Sequence, residues 1–93
     1  MAKQFVVVSY DIVDDRRRTK VMKTLKGYGE HVQYSVFECR LEANHLAELR
    51  KRLKKLITPV DSIRLYFIGA EDVSRIEVIG SGMVLAERIF IIH

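Results

Sequence analysis

The chain has 93 residues, of which 48% are hydrophobic and 30% charged, as expected for one folded domain and not for a disordered segment. No apolar run approaches the ~20 residues that a membrane-spanning helix needs, and the opening residues predict no cleavable secretory signal. The net charge of +4 favours an anionic partner, and the single cysteine, Cys39, excludes an internal disulfide and favours a reducing, cytoplasmic setting.

The first part of the chain predicts a buried strand followed by a basic helix. Six of the nine residues at 4–12 are apolar and four of these are β-branched, which is typical of a strand buried on both faces. Asp14 fits the N-cap of a helix that runs to about Tyr28. Two glycines, Gly27 and Gly29, mark the end of this helix.

The middle of the chain predicts two short strands, a second helix and another strand. Residues 31–41 are extended, but their apolar positions change parity partway, so we expect a bend or turn near Ser35. A helical stripe of leucines covers residues 44–57, and Pro59 prevents its continuation. Residues 62–69 then predict a strand.

Two further strands are predicted at the end of the chain, at residues 75–79 and 88–92. The element order predicts an α+β fold, a ferredoxin-like βαββαβ sandwich with extra C-terminal strands. We expect a single domain over residues 1–93, with its core at about 4–70. The C-terminal strands, at about 75–93, are then available for dimer or partner contacts.

One face of the predicted sheet is more apolar than an exposed face should be. Both helices of a ferredoxin-like sandwich cover the same face, yet Phe5, Val7, Tyr66 and Ile68 fall on the other one. A monomer rarely exposes an apolar sheet of this size. The sequence therefore predicts a homodimer packed sheet to sheet about a two-fold axis, with the C-terminal strands pairing across to the partner.

A lone carboxylate, Asp11, ends the first strand on this same face. A two-fold axis near it would bring Asp11 opposite its own copy, where two carboxylates repel each other. A divalent cation such as Mg²⁺ between them would remove the conflict, since Mg²⁺ prefers one or two carboxylates and retained waters. The alternative is that Asp11 only ends the strand and caps the following turn.

Positive charge is concentrated in the two helices. Of the 16 lysines and arginines, six lie in residues 16–26 and five in residues 50–55. Such a distribution suits a polyanion such as nucleic acid. Two solvated helix faces are the alternative explanation.

Four short motifs follow one another in a fixed order. A strand ends in Tyr10-Asp11, a helix begins with Arg17-Arg18 and closes in Tyr28-Gly29, and the segment QYSVFE follows at residues 33–38. In this order they resemble CRISPR-associated protein two, a family of small proteins of CRISPR adaptation. The resemblance covers residues 4–70 well and the remaining tail loosely.

The resemblance implies both a mechanism and partners. Members of the family are ferredoxin-like homodimers whose strand-end aspartates, here Asp11, hold a divalent metal at the interface. Several are described as metal-dependent endonucleases that act on single-stranded RNA or double-stranded DNA. Their shared role is spacer acquisition, in which the dimer carries a DNA duplex between two dimers of the CRISPR integrase, CRISPR-associated protein one.

The candidate site residues follow from the motifs and the resemblance together. Asp11 is the expected ligand of Mg²⁺ or another divalent cation. The candidate catalytic residues are Asp11, Tyr10, Arg17 and Arg18. The candidate nucleic-acid-binding residues are Arg16, Arg17, Arg18, Lys20, His31, Ser35 and Phe37.

Several of these assignments have structural alternatives. Tyr10 and Phe37 could be core aromatics, and the arginines could pair with Asp14 or Asp15. His31 stands where the family often has arginine, and histidine cannot grip a phosphate through two parallel hydrogen bonds. We therefore expect weaker or more pH-dependent cleavage in this chain.

Two classes of function fit the sequence. One is a metal-dependent endonuclease that takes part in spacer acquisition with the integrase. The other is a non-catalytic dimeric scaffold that binds duplex DNA and bridges integrase dimers. A toxin-type ribonuclease of similar fold is a more remote third possibility.

Overall fold

A computed structural model describes residues 3–81 and shows a four-stranded antiparallel sheet with its two long helices packed on one face. The elements in chain order are β1 (Gln4–Asp11), α1 (Asp15–Lys26), β2 (Gly29–Gln33), β3 (Val36–Leu41), α2 (Ala43–Leu56), β4 (Ser62–Ile68) and α3 (Ala70–Val73). The strand order is β2-β3-β1-β4, and all neighbouring strands are antiparallel. The predicted ferredoxin-like architecture is confirmed.

The core lies between the sheet and the two long helices. β1 contributes Val6 and Val8, and β3 contributes Phe37, all without solvent exposure. The helices contribute Leu25 from α1 and Leu49 from α2, which are equally buried. Alternate residues of each strand therefore form one continuous apolar surface under the helices.

The start of α1 forms as its sequence predicts. Asp14 is extended at the N-cap, and its carboxylate accepts a hydrogen bond of 2.9 Å from the Arg17 backbone N–H. Asp15 lies in the first turn, where a negative charge is favourable to the helix dipole. This cap fixes the start of α1, which carries three consecutive arginines, close after the end of β1.

The predicted break near Ser35 is confirmed as the turn between β2 and β3. β2 also approaches β3 unusually closely at Gly29, which lies opposite Cys39. A Cβ atom at position 29 would lie 2.4 Å from both the Cys39 Sγ and the Glu38 backbone oxygen. Only glycine fits there, so Gly29 lets β2 lie against the sheet.

The open face of the sheet is covered at one end only. Phe5 is buried there against Val7 and Ile68 of the sheet and against Val73 and Ile76, which follow β4. The short helix α3, which the sequence did not predict, carries the chain back over this end. The rest of the face, toward the end of β1, has no such cover within residues 3–81.

Residues 75–79 form no strand within the described single chain, and their predicted pairing with a partner copy stays a prediction. Residues 76–79 pair with no strand of the described sheet, and the Ile79 side chain is 99% exposed. The reason is the path of α3, which turns the chain over the open face and not alongside the edge of β4. The predicted strand at residues 88–92 lies outside the described residues.

Within residues 3–81, no helix has both the length and the apolar character needed to cross a bilayer.

Candidate active site at the end of the first strand

Asp11 is the last residue of β1 and is exposed on the open face. Its Cα lies opposite that of Ser62 on β4, and two residues earlier Ser9 lies opposite Arg64. Among the hydrogen bonds and ion pairs within residues 3–81, none involves the Asp11 carboxylate. Both carboxylate oxygens are therefore available to a ligand from outside this part of the chain.

The donors at this strand end are oxygen atoms, the Asp11 carboxylate and the Ser62 hydroxyl. Such donors fit a hard cation such as Mg²⁺, which binds few protein groups and keeps several waters. In the described part of the chain, no three His, Cys, Asp or Glu side chains group together as a metal site. Residues 3–81 of one copy therefore supply Asp11 and no complete metal cage.

Arg17 is held by Asp61 through two hydrogen bonds. Its Nε donates to Asp61 Oδ2 at 2.8 Å, and its Nη2 donates to Oδ1 at 3.2 Å. The Asp61 side chain is 1% exposed. The predicted pairing of the arginine with Asp14 also forms, although more loosely, at 3.9 Å from Nη1 to Oδ2.

The Asp61 carboxylate is stabilised from both sides. It accepts a 2.9 Å hydrogen bond from the Thr58 backbone N–H as well as the two from Arg17. The hydrogen bond from Arg17 lowers the pKa of Asp61 most, and the hydrogen bond from the Thr58 backbone lowers it further. In turn, the hydrogen bond to Asp61 raises the pKa of Arg17. The start of α1 is thereby tied to the connection between α2 and β4.

This contact was missed in the sequence analysis. Its partners are 44 positions apart, and the one local signal was the Thr-Pro-Val-Asp segment at residues 58–61, in which an aspartate can cap its own turn. Asp61 occupies two of the five N–H donors of the Arg17 side chain, so a phosphate that binds Arg17 has to use the remaining donors or displace Asp61. The catalytic and phosphate-binding roles of Arg17 stay predictions.

Arg18 holds the segment that follows β1. Its Nη1 donates to the backbone oxygens of Ile12 at 3.0 Å and Val13 at 3.1 Å, and its Nη2 donates to the Asp15 carboxylate. The predicted alternative, a pairing with Asp15, is therefore present. Arg18 thus fixes the backbone directly after Asp11, and its phosphate contact stays a prediction.

The exposed cations nearest this segment in sequence are Arg16 and Lys20 on α1. Both side chains are accessible to solvent, so both are open to a phosphate group. Their predicted role in binding nucleic acid is compatible with this exposure and stays a prediction.

Tyr10 lies beneath the turn between β2 and β3. Its hydroxyl donates to the Tyr34 backbone oxygen at 3.1 Å, and its backbone N–H donates to the Ser35 oxygen at 3.0 Å. Burial raises the pKa of Tyr10, and the nearby Arg18 charge opposes that rise. Tyr10 and Ser35 therefore act in this structure as a link between β1 and the turn, and their predicted roles toward nucleic acid stay predictions.

Phe37 is fully buried, and His31 covers its ring. The two ring centroids are 4.4 Å apart, with planes 1° from parallel. The expected stacking of Phe37 on a nucleobase conflicts with this burial, because no face of the ring is open. The alternative role, packing in the core, is the one the structure shows.

His31 also contributes to the turn. Its Nε2 lies 2.9 Å from the Tyr34 backbone oxygen, the same atom that accepts the Tyr10 hydroxyl. His31 is exposed on its outer side, so the predicted contact with nucleic acid stays open to test.

The fold and site define a ferredoxin-like protein with an unpaired strand-end carboxylate beside a basic helix. The family model described as CRISPR associated protein Cas2 matches residues 4–76. The chain belongs to this family, as the motif resemblance predicted.

Two relatives match most of the chain. It is 50% identical over 86 residues to "CRISPR-associated endoribonuclease Cas2 3" of Chloroflexus aurantiacus, a match that spans 91% of this chain and 92% of the relative. It is 43% identical over 83 residues to "CRISPR-associated endonuclease Cas2 2" of Thermus thermophilus, with 88% of each chain covered.

Solved structures have the same fold. The Cas2 of Streptococcus pyogenes superposes with a TM-score of 0.73 at 34% identity, over 82% of this chain and 99% of that one. A chain of a partial Cas6-RT-Cas1–Cas2 complex superposes with a TM-score of 0.74 at 25% identity, over 82% of this chain and 90% of that one.

Proposed function

We propose that this protein is a metal-dependent endonuclease that takes part in CRISPR spacer acquisition as a homodimer. The single observation that carries the proposal is the exposed Asp11 carboxylate, which has no hydrogen-bond or ion-pair partner within residues 3–81. Two relatives named as an endoribonuclease and an endonuclease support the activity.

The exposure of the open face is an argument that a second copy packs there and completes the site. The cluster around Phe5 covers one end of the face, whereas Tyr66 stays 46% exposed near its middle. A two-fold axis at the uncovered end would bring the two Asp11 carboxylates together. One divalent cation, preferably Mg²⁺, would then be bound by one carboxylate from each copy.

A divalent cation at this position supplies charge for the phosphate and a more acidic water. The residues of the chain bind and orient around it. Asp11 holds the cation, while the exposed Arg16 and Lys20 attract the phosphate backbone. Arg17 and Arg18 keep the start of α1 and the residues after Asp11 in place, through Asp61 and through two backbone oxygens.

Asp11→Asn tests the proposal, with Asp72→Asn as the matched control. Both remove one exposed carboxylate, but Asp72 lies on α3 and pairs with Arg75. Cleavage of labelled single-stranded RNA and duplex DNA is measured with Mg²⁺ and with chelator. Loss of the metal ligand should reduce cleavage by roughly 100-fold or more. Cleavage that persists in Asp11→Asn or with chelator would refute the mechanism.

The second candidate function is a non-catalytic scaffold that carries duplex DNA between integrase dimers. The observation that favours it is the engagement of Arg17 by Asp61, which occupies two N–H groups of a residue that the endonuclease would use to bind the phosphate. The Cas1–Cas2 complex named for a similar chain supports an integrase partner.

The scaffold predicts binding without cleavage. Duplex DNA should bind with little sequence preference and with an affinity that falls steeply as salt rises. Deleting residues 83–93 should abolish capture of the integrase without loss of the core fold, which cooperative thermal unfolding of the truncated protein would show. Full integrase affinity in the truncated protein would contradict this docking role.

A further inference from the structure

Tyr34 is an aromatic side chain with almost complete exposure. It lies in the turn between β2 and β3, and its side chain is 98% accessible to solvent. Its parity in the sequence grouped it with apolar strand positions, yet it packs against nothing within residues 3–81. Isolated exposed apolar side chains are common on protein surfaces, so a role for this ring depends on what surrounds it.

The backbone beneath this ring is firmly anchored. The Tyr34 oxygen accepts hydrogen bonds from the Tyr10 hydroxyl at 3.1 Å and from His31 Nε2 at 2.9 Å. The adjacent Ser35 oxygen accepts the Tyr10 backbone N–H at 3.0 Å. The turn is already fixed to β1. Binding of a ligand to the Tyr34 side chain therefore costs little further conformational entropy of the protein backbone.

The turn that carries the ring lies at the same end of the sheet as the candidate active site, because Val36, which follows the turn, pairs with Ser9 of β1. Tyr10, which holds both Tyr34 and Ser35, directly precedes Asp11 in β1. A shallow open recess of about 480 Å³ adjoins the ring and is lined by Gln33, Tyr34, Ser35 and Val36. Its lining comes from four consecutive residues, so it is a surface recess and not an enclosed pocket.

The lining has the chemistry of a base-binding recess. Gln33 offers an amide and Ser35 a hydroxyl, which can both donate to and accept from the edge of a nucleobase. The aromatic face of Tyr34 offers a stacking surface, worth roughly 1–3 kcal/mol per base in single-stranded nucleic acid. The exposed cations Arg16 and Lys20 of the neighbouring helix would attract the phosphates.

We propose that Tyr34 stacks on one unpaired nucleobase of a nucleic acid whose backbone passes Asp11. The inference rests on the proposed nucleic-acid function and adds a specificity residue to it. A base inside a duplex has both faces covered by its neighbours, so Tyr34 selects a nucleotide that is single-stranded or flipped out. Tyr34 binds the base, while the end of β1 at Asp11 binds the sugar-phosphate backbone of the nucleic acid.

The test uses a short single-stranded oligonucleotide that carries one 2-aminopurine, whose fluorescence is quenched on stacking. Binding is measured in chelator, so that cleavage does not interfere. Tyr34→Leu keeps an apolar side chain but removes the ring, and Tyr34→Phe keeps the ring. Val60→Ala, at another exposed apolar position, is the control.

We expect Tyr34→Leu to weaken binding by roughly 5- to 150-fold and to abolish the quenching. Tyr34→Phe and Val60→Ala should bind as the unmodified protein does. The dependence of affinity on salt should be the same in all four proteins, because no phosphate contact is removed. A duplex without an unpaired base should bind the four proteins alike.

Quenching and affinity that survive in Tyr34→Leu would overturn the inference and leave the nuclease proposal intact. A change in the dimer dissociation constant of Tyr34→Leu, with unchanged oligonucleotide binding, would place Tyr34 between copies and also overturn it. Failure of the unmodified protein to bind any oligonucleotide would instead reject the nucleic-acid function itself.

Discussion

The two faces of the sheet are built from alternate residues of the same strands, yet they differ in almost every physical respect. On the helix-covered face, Val8 and Phe37 have no solvent exposure and lie under Leu25 and Leu49. On the open face, β1 runs from the buried Phe5 to the exposed Asp11.

The comparison shows that the two faces of β1 contribute to different properties of the protein. Its even-numbered residues stabilise the chain, because removing them from water is the main favourable term in folding. Its odd-numbered residues end in an unpaired carboxylate and leave surface for other molecules. Substitutions on the covered face should therefore change stability, and those on the open face should change association or chemistry.

The largest effect on stability should come from the covered face, with Leu49→Ala. Leu49 is fully buried between α2 and the sheet, so truncation leaves a cavity. We expect the free energy of unfolding in urea to fall by about 2–5 kcal/mol. His45→Ala, at an exposed position of the same helix, should change it by less than about 0.5 kcal/mol. Equal effects would contradict the placement of the core.

Gly29→Ala should sharpen the comparison at the edge of the covered core. The added methyl group would meet Cys39 Sγ and the Glu38 backbone oxygen at 2.4 Å, and a backbone atom cannot rotate away. We expect a loss of about 1–3 kcal/mol. Gly27→Ala is the matched control, because its nearest contact is an ordinary 3.4 Å to the Thr24 oxygen. A smaller loss at position 29 than at 27 would show that β2 is not held so closely.

Asp61→Asn should weaken the contact between the start of α1 and the connection from α2 to β4. It should also remove one contribution to the pH dependence of stability. The pKa of Asp61 lies below its usual 3.8, chiefly because Arg17 donates to the carboxylate. The carboxylate therefore stabilises the fold above pH 3.8, and this contribution disappears as pH falls through the folded-state pKa.

Thermal midpoints of the two proteins at pH 7 and near pH 3 measure this contribution. The midpoint of the Asp61→Asn variant should be lower at pH 7, and the difference from the unmodified protein should narrow at the acidic pH. Asp72→Asn, an exposed change, should leave the midpoint nearly unaltered at both values. A difference that stays constant with pH would exclude the Arg17–Asp61 pair as its source.

The smallest effect on the stability of a single chain should come from the open face, with Tyr66→Ala. Tyr66 is half-exposed, and its one described hydrogen bond is a long 3.4 Å contact from Arg64. At concentrations where the chain is monomeric, we expect a loss below about 1 kcal/mol. Sedimentation should show weaker self-association, since the ring lies where a second copy would pack. Unchanged association would mean that the open face is not the dimer surface.

The sequence was sufficient for most of the fold because its apolar periods match the elements they form. The strand pattern of β1, the leucine stripe of α2 and the Asp14 cap are local signals, and each is confirmed in the structure. The parity change at Ser35 predicted the turn, because a strand cannot bury two opposite sets of side chains on one face.

Long-range contacts were beyond the sequence. The Arg17–Asp61 pair depends on how two loops meet, and no local pattern links them. Residues 75–79 have the alternation of a strand, but a strand also needs a neighbour, which the path of α3 withholds within the described chain. Tyr34 lies in the range predicted to be extended, and its apolar character does not reveal that the turn holds it out in solvent.

Because Arg17 contacts Asp61, a probe in the connection between α2 and β4 can report on binding at the start of α1. An anion that draws Arg17 away from Asp61 would leave the Asp61 carboxylate with Thr58 as its partner, and a dye attached at position 60 would then change its environment. Val60→Cys can be labelled selectively, because burial raises the pKa of Cys39 to about 11 and keeps that thiol protonated at neutral pH. Occupancy of the basic helix could thus be followed by fluorescence in real time, from a position outside the binding surface.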